Sequence, residues 1–395
     1  MNIYVDNAAT TKVSETAISA MLPYFNQIYG NPSSLHSAGQ LAAESLLMAR
    51  ETIANVFGCS PKEIIFTSGG SEANNQALLS AAEIGKKKNK KHIISSTIEH
   101  HSILHTLEKL KKQGFEITLL NAHKNGIIHP DELIASIRPD TIFVTIMYAN
   151  NEIGSIQPIA ELGKICQEHG ILFHTDAVQA AGHIKIHVEK ENIDMLSLSA
   201  HKFHGPKGIG ILYAKHGIPL TNLIEGGAQE RGKRAGTENL PAIMGMAAAL
   251  QEAAEHIDKT AAKLIPLRDR LIEGLTEIPH TVLNGDPIWR LPNNVHVCFE
   301  GIEGESLLLL LNNKGIFASS GSACTSGSLD PSHVLLAIGR PHEIAHGSLR
   351  LSLSGENTME EIESIIKTTK ESVTYLRGMS PIWKDLQEGK RNYVI

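Results

Sequence analysis

Lys202 is the residue whose surroundings point most directly to covalent chemistry. It stands in Ser199-Ala200-His201-Lys202-Phe203-His204-Gly205, just past the apolar run 194–199. A lysine at the end of a buried strand is partly desolvated, which lowers the amine's pKa and frees its lone pair for Schiff-base formation. Alone, it would read as an ordinary lysine snorkelling to water. Two further features change its meaning. Asp176 follows the apolar run 171–175, where a carboxylate can pair with a protonated pyridine nitrogen. The turn Gly69-Gly70-Ser71 opens a helical pattern, so backbone N–H groups and a hydroxyl face an anion. That turn lacks the lysine of a P-loop and the spaced glycines of a dinucleotide fingerprint. A phosphate cup, an acidic strand end and a strand-end lysine together suit pyridoxal phosphate better than other cofactors.

These groups need a scaffold that brings strand ends to one edge. Helical and strand patterns alternate through most of the chain, the signature of an α/β fold with a largely parallel sheet. Strands are expected at 63–67, 142–148, 171–175, 194–199 and 208–213, with a helix from near Pro158 to Gly170. In open parallel sheets, ligands bind at the carboxyl ends of the strands. An early helix is announced by Ser37 and Gln40 as a capping box, turns Leu41, Met48, Ile53 and Phe57 inward and stops at Gly58. The Ala-rich stretch 241–256 merges with the pattern 262–275 and bridges to a second domain. The last third mixes strands such as 295–299 with helices, one capped by Thr358 and Glu361, as a smaller α+β domain would. Between them lies a Gly- and Ser-rich loop, 319–328, around Cys324.

At 395 residues the chain exceeds the usual size of a single core, so two domains are expected. With 42% hydrophobic and 20% charged residues, disorder is excluded, and a net charge of -6 argues against nucleic acid or anionic membrane as partners. The basic run from Lys86 to Lys91 reads as a solvated helix end. The four cysteines, Cys59, Cys166, Cys298 and Cys324, are far apart and show no CxxC, which speaks against a disulfide framework or a zinc site and for a reducing, cytoplasmic setting. Neither a signal nor a transit pattern is visible at the N-terminus, and the apolar run Leu307 to Leu311 reads as core helix, too short to cross a bilayer.

Nine landmarks in order carry a resemblance. They are Asp6-Asn7-Ala8-Ala9-Thr10-Thr11, Gly30-Asn31-Pro32-Ser33-Ser34-Leu35-His36, Thr67-Ser68-Gly69-Gly70-Ser71-Glu72-Ala73-Asn74, Asn150-Asn151-Glu152-Ile153-Gly154, Thr175-Asp176-Ala177-Val178-Gln179, Ser199-Ala200-His201-Lys202, Gly236-Thr237-Glu238-Asn239, Ser319-Ser320-Gly321-Ser322-Ala323-Cys324 and Leu349-Arg350-Leu351-Ser352. Over nearly its whole length the sequence resembles the group I cysteine desulfurases of the pyridoxal-phosphate fold type I superfamily, the aspartate-aminotransferase-like, class V aminotransferase branch. The resemblance implies a large domain at 15–257 with a mainly parallel sheet, and a smaller one from 1–14 and 258–395 that carries the Cys324 loop. It implies that Lys202 holds the cofactor covalently and then moves the α-proton, while His100 stacks on the pyridine face. Asp176 would pair with the pyridine nitrogen. Gln179, with Asn151 nearby, would bond the phenolic oxygen. Gly70, Ser71, Ser199 and His201 would hold the phosphate, with Thr237 reaching it from the second subunit of a homodimer. Arg350, beside Asn151, would clamp the carboxylate of L-cysteine, a task that suits guanidinium.

In the implied reaction the Cys324 thiolate takes the substrate sulfur, alanine leaves, and Cys324 keeps a persulfide. Such a nucleophile belongs on a mobile arm, which fits the Ser/Gly composition, and Cys59, Cys166 and Cys298 are then structural. The chain departs from the pattern in having Ser71 where the family often has Thr, which keeps the hydroxyl. The stretch 352–358 is closer to nitrogen-fixation-type members, and the tail 380–395 lacks the ending at which housekeeping members dock a scaffold protein. The partner is therefore a sulfur acceptor or iron-sulfur scaffold, left open among iron-sulfur assembly, nitrogenase maturation and tRNA thiolation. An aminotransferase or selenocysteine lyase on the same fold would keep Lys202 and Asp176 without needing Cys324. A metal-binding scaffold built on the 20 histidines is disfavoured, because adjacent pairs such as His100-His101 do not give spaced ligands.

Overall fold

The computed structural model describes residues 2–321 and 331–395, so Cys324 lies outside the described residues. In chain order the strands are β1 (Ile3–Tyr4), β2 (Ile64–Thr67), β3 (His92–Ser96), β4 (Glu116–Leu120), β5 (Thr141–Thr145), β6 (Leu172–Asp176), β7 (Met195–Ser199), β8 (Gly210–Ala214), β9 (Thr281–Leu283), β10 (Asn294–Phe299), β11 (Ile316–Phe317) and β12 (Ser348–Ser352). Seven of them form one sheet in the order β2-β8-β7-β6-β5-β3-β4. The β7-β6-β5-β3-β4 ladders are parallel, and β8 runs antiparallel between β2 and β7. Strands β2, β3, β5, β7 and β8 are buried at every residue, as expected for short apolar runs covered by helices on both faces. Because β2, β3, β5, β6 and β7 all point the same way, their carboxyl ends share one edge.

Three antiparallel strands in the order β12-β10-β9 make a second sheet, and β1 pairs with β11 in a parallel ribbon. Among the described residues three bodies of apolar side chains go with this arrangement, one of them formed by Ile65, Leu78, Ile93, Leu107 and Phe143 on the large sheet. One face of the large sheet packs with Ile53, Phe57, Phe173 and Tyr213. Ile3, Val5, Val297, Leu351 and Ile365 gather around the small sheet. The helix Leu240–Thr276 serves the last two: Ile243, Met246 and Leu250 enter the first of these, and Leu264, Leu271 and Leu275 enter the second. The two expected helical stretches are thus one continuous element of 37 residues, with Pro266 inside it.

Elsewhere the sequence reading needs correction. The helix Ser37–Phe57 is capped by His36, whose Nδ1 accepts from the Gly39 N–H at 3.2 Å, not by a Ser37/Gln40 box. Ile53 and Phe57 point inward and Gly58 ends the helix at φ 67°, but Leu41 and Met48 are exposed. Its inner face is instead built from Ala42, Ala49, Ile53, Ala54 and Phe57. By contrast, the Thr358/Glu361 capping box is present in both halves. Lys86 and Lys87 end the helix Gly70–Lys87 in solvent. Leu307 and Leu311 are core residues of the helix Gly304–Asn313. Among the described residues, no helix is long and apolar enough to cross a membrane.

Candidate active site

Each strand end at the shared edge delivers one polar group. β2 ends at Thr67, and the chain turns through Gly69 into the helix Gly70–Lys87, with Ser71 in its first turn. The turn lies against β8: a Cβ on Gly210 would come within 2.7 Å of Gly69 Cα, so only glycine lets the two backbones meet there. After β3, His100 caps the helix His101–Lys112 with its own side chain. Asn151 sits in the turn after β5, Asp176 ends β6, and Ser199 ends β7 just before His201 and Lys202. Arg350 comes from β12 of the small sheet.

Ten of the twelve residues singled out from the sequence line one cavity of about 420 Å³: Gly70, Ser71, His100, Asn151, Asp176, Gln179, Ser199, His201, Lys202 and Arg350. That size holds a small organic cofactor and its substrate. Thr237 does not join them. It is exposed, close before the long helix. Cys324, the twelfth, lies outside the described residues. A larger cavity, of about 670 Å³, is bounded by Glu300, His342 and Arg391 and contains none of these groups.

The wiring of the cavity is specific. Lys202 Nζ donates to the Ala8 and Ala9 carbonyls at 2.6 and 2.8 Å, and Gln179 Nε2 donates to the same Ala8 carbonyl at 3.0 Å. Asp176 is buried; its Oδ1 accepts from the Val178 N–H at 3.0 Å and its Oδ2 from Asn74 Nδ2 at 2.7 Å. Arg350 donates from Nη2 to Asp6 Oδ1 at 3.1 Å and from Nη1 to the Asn151 carbonyl at 3.2 Å. Burial raises the Asp6 carboxyl above its ordinary range, and Arg350 partly offsets this. Desolvation, reinforced by Lys202 and Lys207, pushes His201 down to about 4 and keeps its ring neutral, with Nδ1 3.2 Å from Thr10 Oγ1.

Several of these partners carried no role in the sequence reading. Ala8 and Ala9 belong to a quoted landmark, yet a carbonyl leaves no signature in residue type. Asn74 and Ser102 also line the cavity. Glu99 is fully buried behind His100, its Oε1 accepting from Ser96 Oγ at 2.6 Å and from the Met147 N–H at 2.9 Å. Desolvation above all, with Asp176 adding to it, pushes the Glu99 carboxyl up to about 8. The folded protein therefore holds a proton there that the unfolded chain releases near its ordinary value of 4.5, so this site's contribution to stability falls as pH rises between those limits. Glu99→Gln removes that slope. Urea midpoints measured against pH should diverge in favour of the variant from about pH 5 to about 8 and then run parallel. A constant difference across that window would mean that Glu99 is ionised in the fold.

The donor set fits a phosphorylated pyridine aldehyde. The N-terminal turn at Gly70 and Ser71, with Ser199 and His201, offers a phosphate its donors. Asp176 supplies the carboxylate, and Lys202 the amine. Arg350 lines the same space and offers an incoming carboxylate a planar set of donors; among the described residues its buried Nε has no hydrogen-bond partner. Fold and site thus define a lysine-dependent enzyme class built on a parallel α/β sheet. The aminotransferase class-V profile matches residues 3–365. "Cysteine desulfurase IscS" of Methanosarcina thermophila is 54% identical over 380 residues, covering 96% of this chain and 94% of its own. Among solved structures, a NifS-like protein matches with a TM-score of 0.90 at 39% identity, covering 95% of this chain and 100% of that one. SspA in complex with cysteine matches with a TM-score of 0.79 at 36% identity, covering 90% and 100%. The chain belongs to the aminotransferase class-V family. Pyridoxal phosphate is its cofactor.

Proposed function

We infer that the protein is a pyridoxal-phosphate-dependent cysteine desulfurase, which converts L-cysteine to L-alanine and passes the sulfur to Cys324 for iron-sulfur assembly or another sulfur-transfer pathway. The observation that carries this reading is the convergence of Lys202, Asp176, Arg350 and the Gly70-Ser71 helix terminus on one cavity, in a chain similar to desulfurases over almost its whole length. The cofactor, when bound, supplies an electron sink that labilises bonds to the substrate α-carbon. Lys202 would hold the cofactor through its amine and serve as the group that moves the α-proton. Asp176 would pair with the pyridine nitrogen, and His100 would flank the ring. Gly70, Ser71, Ser199 and His201 hold the phosphate, Gln179 and Asn151 the phenolic side, and Arg350 the substrate carboxylate. The Cys324 thiolate attacks the substrate sulfur: an S–S bond forms, the substrate C–S bond breaks with its electron pair left on carbon, and a proton completes alanine. Cysteine and thiol in, alanine and persulfide out, the atoms balance without an external oxidant.

Thr237 completes the phosphate site of a second copy in a homodimer. Two features support this: Thr237 is exposed and away from its own cavity, and Leu22, Phe25, Tyr29, Leu35, Leu47 and Met48 present apolar surface that a second copy would cover. The domains divide at 15–257 and at 1–14 with 258–395; the core around the small sheet draws on the second alone, while a core of the large sheet also takes in Leu291, Val334 and Leu335. A reducing, cytoplasmic setting suits the free thiols at Cys59, Cys166 and Cys298. The partner is a sulfur acceptor or iron-sulfur scaffold protein. SspA, solved with cysteine, is a structural match consistent with that amino acid as substrate.

Cys324→Ala tests the sulfur step. Mass spectrometry of the wild type after incubation with cysteine should show one added sulfur, about 32 Da, on the peptide containing Cys324. In the variant, alanine formation should fall by about 10²-fold or more while the bound cofactor remains. Unchanged turnover without Cys324 would favour an aminotransferase or selenocysteine lyase reaction instead.

A further inference from the structure

In the cavity wall, two residues join the groups that flank the cofactor position. Asn74, 1% exposed on the helix Gly70–Lys87, has a single amide nitrogen with two hydrogens. One goes to Asp176 Oδ2 at 2.7 Å and the other to Ser102 Oγ at 2.9 Å. Asp176 Oδ2 accepts from this nitrogen, so the amide cannot turn round without losing that bond, and the cost is visible: among the described residues Asn74 Oδ1 is buried without a partner. Ser102 Oγ, having accepted from Asn74, sits 2.8 Å from His100 Nδ1, and the Ser102 N–H also points to Nδ1 at 3.2 Å. With a backbone donor aimed at it, Nδ1 has no hydrogen of its own. A ring with one proton therefore carries it on Nε2.

We propose that Asn74 and Ser102 are positioning residues that lock the Asp176 carboxylate and the His100 imidazole into one unit, setting the orientation of the first and the tautomer of the second together. This rests on the reading of the cavity as a pyridoxal-phosphate site. Neither residue performs chemistry. Asn74 keeps one carboxylate oxygen of Asp176 in place, and Ser102 fixes which nitrogen of His100 bears hydrogen. A disturbance at one end reaches the other through three hydrogen bonds. The retained orphan Asn74 Oδ1 is the mark of a side chain held for its donors at the expense of its acceptor.

The test uses purified holoenzyme, and the same protein resolved of cofactor and reloaded with pyridoxal phosphate. Two quantities are read: the cofactor dissociation constant and the pH midpoint of the bound cofactor's visible absorption. Ser102→Ala should weaken cofactor binding by about fivefold and shift the midpoint, although Ser102 does not contact Asp176, and Ser102→Thr should restore both. In the cycle of Asn74→Ala, Ser102→Ala and the double variant, the effects on the dissociation constant should be non-additive by about threefold or more. Superimposable wild-type and Ser102→Ala curves, or an additive cycle, would overturn the bridge. Should Asn74→Ala fail to fold, the Ser102 pair decides alone, since Ser102 lies at the accessible start of a helix. Wild-type protein showing no Lys202-dependent band would instead overturn the cofactor reading beneath it.

Discussion

Lys202→Ala is expected to give a folded protein that cannot retain cofactor covalently and has lost turnover by at least about 10⁴-fold, because nucleophile and general base leave together. The fold should tolerate the change. Lys202 donates to the Ala8 and Ala9 carbonyls, which line an open cavity where water can replace the ammonium, so losing these bonds costs about 1 kcal/mol. Added cofactor should show a free-aldehyde spectrum, and borohydride should leave no label on the chain. Lys202→Arg sharpens the point, because it keeps the positive charge near Asp6 but presents a guanidinium that does not form Schiff bases. Recovery of turnover in Lys202→Arg would show that the lysine acts by charge alone and would refute its covalent role.

Arg350→Lys should raise the KM for cysteine by about 10- to 100-fold, with a smaller effect on cofactor affinity. The guanidinium is already held on two sides, by Asp6 Oδ1 and the Asn151 carbonyl, and among the described residues its third nitrogen is buried without a partner. Each Nη carries a second N–H, so the planar fork can keep its two protein acceptors and still meet a carboxylate, whereas an ammonium supplies a point charge. Arg350→Ala goes further, since it strands Asp6 without its counter-ion at the edge of a buried site and should cost about 2–5 kcal/mol of stability. Initial rates of alanine formation over a range of cysteine concentrations, compared with denaturant midpoints, separate the two effects. An unchanged KM in Arg350→Lys would move the carboxylate site elsewhere.

Much of this site is legible along the chain because the fold converts sequence order into spatial order. Asp176, Ser199 and Lys202 each follow a short apolar run, and parallel strands leave all such run-ends on one edge. Thus Lys202, unremarkable alone, could be paired with Asp176 and the Gly69-Ser71 turn before any coordinates were known. Side-chain direction on helices was harder. Leu41 and Met48 are apolar and correctly spaced, yet they face solvent, because helical periodicity defines a stripe but not the neighbour that covers it. Likewise His36 rather than Ser37 caps its helix, a choice made by local backbone angles within one residue of the expected position.

Residue types, their order and the run-ends are enough to specify a parallel α/β scaffold, the lysine, the acid and the phosphate turn. The chemistry of Cys324 too is argued from sequence and resemblance. Tertiary structure alone decides the partners: Ala8 and Ala9 carbonyls around Lys202, Asp6 against Arg350, and Asn74 and Ser102 between Asp176 and His100. The physical reason is that strand periodicity and turn chemistry act over a few residues, whereas these hydrogen bonds join segments from 28 to 344 positions apart, apart from the local Ser102–His100 contact. Such pairings depend on the packing of both sheets, where an amide or carbonyl acquires a role that its residue type does not announce.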